Sequence, residues 1–362
     1  YAALLCSSMV FSLVSTPVSA AETGQLTNPP TSTEELSSPE SISGNEAASA
    51  LNGLSVLAAN GEAEVTTASE LTGALADSSI SRITLKGDID IGSTLTVNRT
   101  VTLDLNGCVL KMTGSDSVIK VEADGDLTIQ DRNTTTQHKF NPHCKYLTWY
   151  IDMWELDNGG SEIVSGGVIT GGGGDQSNGG GVLVAGGTLV MAGGSIVGCS
   201  AMSRGGGVCN NGTFIMSDGM IKGCTSPDGQ YASGGGVRNS NQFTMTGGMI
   251  GDPDNENDAS HVYNTSSQET TLTISGNAKI YTDVTNVGIL NADGGEMSGT
   301  MTNDTNRYGT GTITGSEGAA DSTEFQGKVT NNGTIRKGTF TNEVINESSG
   351  TINGGTFTGT VE

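Results

Sequence analysis

Aromatic residues make up only 4% of this 362-residue chain, and apolar residues as a whole only 34%. That scarcity excludes a thick globular core built around Phe, Tyr and Trp, and leaves room for a narrow interior lined by smaller aliphatic groups. Cations are scarce as well: 16 Lys and Arg stand against 39 Asp and Glu, for a net charge of -23. A chain so poor in positive charge has no stripe with which to neutralise phosphates, so neither nucleic acid nor an anionic membrane is expected as a partner. Metal-ligand spacing is missing too. His138, His143 and Cys144 are ligands by type, but they match no zinc pattern and lack a fourth donor. Of six cysteines, Cys6 falls in the leading apolar stretch, and the five that follow are an odd number that closes no disulfide framework.

What the chain has in abundance is glycine, 55 residues of it, and a repeat written three times between Gly179 and Gly251. The copies read GGGVLVAGGTLVMAGGSIVGCSA, GGGVCNNGTFIMSDGMIKGCTS and GGGVRNSNQFTMTGGMIGDPD. Aligned, they place Val182, Val208 and Val237 in one column, Leu189, Phe214 and Phe243 in a second, Met191, Met216 and Met245 in a third, and Ile196, Ile221 and Ile250 in a fourth. Within each copy the apolar positions lie two apart in short runs bounded by Gly, Asn or Asp. This is the period of a strand with one buried face. About three short strands per repeat of roughly 25 residues describe one turn of a parallel β-helix. Stacking turns about 4.8 Å apart would align like side chains into buried ladders. The fold class read from this pattern is all-β, a right-handed parallel β-helix (β-solenoid), its hand following the usual strand-crossover-strand rule.

Taken in order, residues 1–20 (YAALLCSSMVFSLVSTPVSA) read as a signal peptide whose first residues are missing, ending on the small-residue site Val18-Ser19-Ala20. Residues 21–65 are rich in Ser, Thr, Pro and Glu and read as a flexible spacer. Thr67 and Glu70 then have capping-box spacing, with Leu71, Ala74 and Leu75 on one helical face. A short N-terminal helix is expected there, capping the open end of the first coil. Strand alternation starts with Ile83 and Leu85, and residues 66–308 are assigned to the β-helix. Val164 and Ile169 repeat the Met191-to-Ile196 offset and suggest a further copy, while Leu272 and Ile274 continue the Phe243 and Met245 columns. From 309 to 362 the unit shortens. Phe325, Phe340 and Phe357 align, as do Val329, Val344 and Val361, and Ile335 with Ile352, in steps far shorter than those from Val182 to Val208 and Val237. That implies a smaller cross-section or fewer strands per coil, in a stretch that reads as ending in mid-repeat.

The regular texture breaks at 131–160. Both tryptophans of the chain lie here, Trp149 and Trp154, with Tyr146 and Tyr150, and these four are the candidate ligand-binding residues, because loops leaving one face of a repeat array are where binding concentrates. The competing expectation is that the segment folds over the flank and buries its own rings. Cys199 and Cys224 each follow a ladder Met by the same offset, so adjacent coils should stack them as a reduced pair, parallel side-chain vectors being poorly placed for a disulfide. The acidic turn at 252–258, DPDNEND, is dense in oxygen donors, which keeps calcium in view, yet it lacks the Gly and bidentate Glu of an EF-hand loop. No cofactor is otherwise expected. No catalytic residues are assigned, since no acidic pair stacks in adjacent copies.

The texture GGGV, then GTF or GTL, then M-x-GG-x-I-x-G-C, with opening coils such as TLTVNRTVTLDLNG, resembles right-handed β-helix surface proteins of Gram-positive gut bacteria within the pectate-lyase-like fold group. The resemblance runs over roughly 66–251 and more weakly beyond. It implies an exported, wall-associated, adhesin-like protein, a monomeric rod whose partners would be glycans or host surface proteins. The calcium carboxylates and catalytic Arg of pectate lyases find no matching motif. The alternative is a polysaccharide lyase or glycoside hydrolase on the same scaffold.

Overall fold

A computed structural model describes residues 61–145, 152–173, 178–226, 234–255, 258–266, 269–306 and 308–362. Helix α1 (Ala68–Ala76) is the one α-helix among the described residues, and the rest of the regular structure is β. Successive repeats pair side by side, in parallel, and in register. Each repeat is one tier, and each tier contributes strands to three faces.

The first face is a ten-stranded parallel sheet running from Leu95–Val97 to Val344–Asn346. On it Val182 pairs with Val208, and Val208 with Val237. The second face aligns Leu189, Phe214, Phe243 and Leu272 in one column and Met191, Met216, Met245 and Ile274 in the next. The third aligns Ile169, Ile196, Ile221, Ile250 and Ile280. The columns meet in one continuous buried cluster extending from Ala63 to Val344. Period-2 alternation explains why so few aromatics suffice: each strand turns a few side chains inward, and the tier above covers them. Where a column does use Phe, the rings stack. Phe214 and Phe243 have centroids 4.5 Å apart, with planes 9° from parallel.

Beside the valine column runs a polar one. Asn210, Asn239, Asn264, Asn286, Asn303, Asn331 and Asn346 occupy the same position in seven consecutive tiers. Each amide nitrogen donates to the next amide oxygen at 2.7–2.8 Å. An unsatisfied buried amide would cost about 1–3 kcal/mol; Asn239 to Asn331 are tolerated at 0% exposure because the tiers on both sides supply partners, and Asn210 because the Gly212 amide donates to its oxygen. Upstream the position is apolar, with Val184 and Val121.

At the N-terminal end α1 closes the first tier. Glu70 N–H donates to the Thr67 hydroxyl and the Glu70 carboxylate accepts from the Thr67 amide, a complete capping box. The Glu70 carboxyl is lowered chiefly by its bond from the Thr66 amide. Leu71, Ala74 and Leu75 are buried. The Arg99 guanidinium donates to the carbonyls of Ala74 and Leu75, which the helix end leaves bare, at 2.9 and 3.0 Å, and to that of Ile80 in the following turn at 2.6 Å. Regular structure begins ahead of this helix, inside the stretch read from sequence as a spacer. Glu62–Val65 is a strand paired with Arg82–Leu85, in which Ala63 and Val65 face in while Glu62 and Glu64 form ion pairs with Arg82 and Lys86.

Two further expectations change. Val164 is not in the Met191 column: it pairs with His138 in an antiparallel sheet, and the residue under Met191 is Ile129. The insertion at 131–165 separates two tiers that then pair directly. Shortening also starts earlier than residue 309, since the step from Val284 to Met301 is already far shorter than that from Val208 to Val237. The next step, to Val329, is long because it carries a two-stranded hairpin, Thr305–Asn306 with Gly309–Thr310, and a loop at 315–323. Tiers near the C-terminus keep three strands (Val329–Asn331, Thr334–Ile335, Thr339–Phe340), so they are smaller through shorter corners and loss of the methionine column, which ends at Ala292. Cys199 and Cys224 are both free and fully buried among the core columns, and burial pushes the Cys224 thiol well up.

Candidate functional site

The insertion folds onto the third face. Gln137–Lys145 forms the centre of a three-stranded antiparallel sheet with Asp152–Leu156 on one side and Glu162–Ser165 on the other. It has its own apolar layer: Phe140, Trp154 and Val164 pack on Val109, Val168 and Val197, which point outward from the tiers. Along the column of Val109 and Val168 the outward residues continue through Ser195, Met220 and Met249 and become charged only at Lys279, Glu296 and Glu324. Outward Val at 109, 168 and 197 is therefore the sequence signature of a covered face.

Trp154 is the anchor. It is 2% exposed, its ring centroid is 6.5 Å from that of Phe140, and its backbone N–H donates to Gly223 O at 3.4 Å. It rests on Gly198 and Gly223, the glycines of the repeated Gly-Cys pairs. A Cβ on Gly223 would lie 2.1 Å from Trp154 Cγ, and one on Gly198 would lie 2.0 Å from Trp154 O. The Lys222 ammonium sits 4.2 Å from the ring centroid, within cation–π range, and pairs with Asp252 at 3.2 Å, the two side chains being 8% and 5% exposed. Asp258 accepts from the amides of Gly223 and Ser260, and burial, aided by the neighbouring Asp252 charge, raises its carboxyl.

Several candidate residues find their places here. Trp154, expected to offer its ring to a ligand, is instead buried under its own sheet, because the outward valines below it need a cover. Tyr146, Trp149 and Tyr150 fall outside the described residues. In the acidic turn, Asp252 and Asp258 are committed to Lys222 and to backbone amides. Both carboxylates are buried, with 5% and 4% exposure. No cluster of three metal-ligating side chains occurs among the described residues. The role of Lys222 is not readable from sequence, since nothing in KGC marks it as lying beneath an indole.

At the edge of the flank sheet a cleft of about 500 Å³ opens, lined by Asp88, Gln137, His138, Lys139, Leu156 and Asn158 over Val109. That is within the range of small-ligand sites. His138 Nε2 lies 3.0 Å from Gly107 O, which fixes its ring with that nitrogen as the donor. Asp88 accepts from the Val109 amide at 2.8 Å. Lys139 supplies a cation and Gln137 and Asn158 supply amides, a set suited to hydrogen-bonding a polyhydroxyl ligand. Beneath the cleft, Asp131 accepts from the amides of Gly107 and Gly167, holding the start of the insertion against the tier. Asp104 is fully buried and paired with Arg132; burial works to raise its carboxyl, and the bonds from Arg132 and Gln130 outweigh it and lower it.

Residues 62–164 match a protein family described as "Putative pectate lyase-like adhesive domain". The match starts on the first strand and ends on Val164 in the last strand of the flank sheet, so it takes in α1, the first tiers and nearly all of the insertion. No curated protein and no solved structure matches the chain. No helix among the described residues is long and apolar enough to cross a membrane.

Proposed function

We propose that this chain is an exported surface protein of the adhesin type, built as a right-handed parallel β-helix, that uses the flank formed by residues 131–165 to hold a glycan or a glycosylated surface partner. The observation that carries the reading is the similarity of residues 62–164 to an adhesive domain whose span closes on the flank sheet. The parallel pairing of like residues through successive tiers favours the β-helix, and the handedness follows the rule for parallel crossovers. Export rests on the leader-like residues 1–20, and attachment to a Gram-positive wall on the resemblance of the repeats.

In this reading the tiers supply length and stiffness, and the insertion supplies recognition. The cleft beside His138 and Lys139 offers polar groups, and Tyr146, Trp149 and Tyr150, in the connection between the first two flank strands, offer aromatic faces on which sugar rings stack. A glycan array probed with wild type, Trp149→Ala and Lys139→Ala tests it. Binding to a set of glycans that both substitutions weaken supports the reading, and a full array without binding overturns it. Reducing-sugar release in the same wells would replace adhesion with polysaccharide cleavage.

A further inference from the structure

Most cations in this acidic chain have been given a partner. Arg82, Lys86, Lys120, Arg132, Lys222, Lys279, Lys328 and Lys337 each make an ion pair, and Arg99 caps the helix. Arg204 and Arg238, like Lys111, Lys139 and Arg336, make no ion pair among the described residues. Arg238 donates to the Ser240 hydroxyl, and the fold sets these two arginines on neighbouring backbone. On the outward side of the first face, Cys209, Arg238 and Tyr263 are direct neighbours in three successive tiers. Arg204 reaches the same spot from the corner before Val208. That corner curls back at Gly205, where φ is +63° and an added Cβ would lie 2.3 Å from Val208 O and 2.8 Å from Cys209 Cα, so the residue preceding it overhangs the Cys209 strand. The bend at Gly205 thus sets Arg204 beside the Cys209 strand, which is the direct neighbour of the Arg238 strand. Burial lowers the Arg238 guanidinium and the Arg204 charge lowers it further, while both arginines work against the rise that burial imposes on Cys209.

Two like charges set side by side, one half-buried, destabilise the empty protein unless an anion comes between them. Among the described residues no ion pair supplies one here. We propose that Arg204 and Arg238 form a binding site for a single oxyanion, the carboxylate or sulfate of an acidic sugar, with the half-buried Tyr263 ring beside it to pack on the sugar. The guanidinium fork matches the geometry of both groups. The strongly negative remainder of the protein repels long polyanions, so the site takes one anionic group presented at the surface rather than a nucleic acid strand. It is separate from the flank cleft and stands whether or not the flank binds.

Titration calorimetry of the full chain at low salt tests this with four probes: sodium sulfate, a galacturonate oligomer, a sulfated disaccharide and its unsulfated parent. Wild type should bind at least one acidic saccharide, more weakly as salt is added, and should not bind the neutral parent. Arg204→Gln and Arg238→Gln should each weaken binding by about tenfold or more, while Lys328→Gln, which removes a cation paired with Glu343 in the narrow tiers, leaves it unchanged. Sulfate binding as tightly as the acidic saccharides would confine the site to the free ion and remove the sugar from the proposal. Equal binding of neutral and acidic saccharides, absence of binding by all four probes, or unaltered affinity in both arginine variants would overturn it. Because an unfavourable charge pair is being relieved, the melting temperature of Arg204→Gln without ligand should equal or exceed that of wild type, which also certifies that the variant is folded.

Discussion

The tiers between Val182 and Asp252 and those after Val329 stack by the same pairing, yet they differ in what surrounds it. The first group takes long steps, from Val182 to Val208 and on to Val237, and the second a short one, from Val329 to Val344. Almost all of the difference lies in the corners. Between Ile196 and Val208 the chain makes a wide turn from the third face to the first, including a Gly triplet, whereas Phe340 reaches Val344 through a tight corner. The wide tiers hold both Leu or Phe and Met columns on the second face. The narrow tiers hold one, with Ile335 and Ile352, and move their phenylalanines to the third face, where Phe325, Phe340 and Phe357 stack at 4.7 and 4.8 Å. The strand pairing is therefore the constant of the structure. The candidate sites sit on additions to that constant: the flank insertion ahead of the wide tiers, and the wide corner carrying Arg204 beside the first-face strands of Arg238 and Tyr263.

Substitutions can press on that contrast. The largest effect is expected from Phe214→Ala, which removes a fully buried ring from a column with Leu189 below and Phe243 above, and should cost about 3–5 kcal/mol in denaturant unfolding. Phe357→Ala, at the partly buried end of the narrow stack, should cost clearly less; equal losses would mean that the two parts do not differ in packing as described. Next comes Asn264→Ala. It strips the partners of Asn239 and Asn286 and of the Ile289 carbonyl at once, for a loss of about 1–3 kcal/mol. Amide exchange should quicken first in the tiers on either side. Gly223→Ala should be milder for the tiers but decisive for the flank: the added methyl occupies the place of the Trp154 ring. Exchange protection should drop across 137–145 and 152–165 and Trp fluorescence should shift red, with the strands from 262 onward unchanged.

The smallest effect expected is on pH dependence. Burial raises the Asp258 carboxyl above its ordinary value, so the folded state holds this proton more tightly than the unfolded chain does. Its contribution is most favourable below the ordinary aspartate range and is lost as pH rises from that range through the folded value. Asp258→Asn should therefore gain stability relative to wild type on going from acid to neutral pH. A constant difference across that range, measured by denaturation midpoints, would remove Asp258 from the account.

Much of the stacking is legible in the residues because period 2 within a strand and the recurrence of Val, Phe or Leu, Met and Ile are both consequences of one constraint, a dry interior continued from tier to tier. The asparagine ladder leaves a fainter trace: VCN, VRN, VYN, VTN, MTN, VTN and VIN recur at the same place in seven tiers. A polar residue at an inward position looks like a strand end until its partners in the adjoining tiers are known. Trp154 and Val164 mislead for a related reason. An insertion that builds a second apolar layer uses the same residue types as the tiers, and only the outward valines at 109, 168 and 197 reveal that the face below is covered. Cys199 and Cys224, by contrast, can be placed by counting alone, since they follow their ladder methionines by equal steps.

The amide row from Asn210 to Asn346 runs in one sense, every nitrogen giving to the next oxygen. Each storey accepts from the one before and offers the same hand to the one after, whatever the size of the loops around it. Such a molecule can be lengthened or cut back by whole storeys, as a ladder is by rungs, without renegotiating its interior. Reach is then a quantity that duplication and deletion can tune independently of what the ends and flanks are asked to hold.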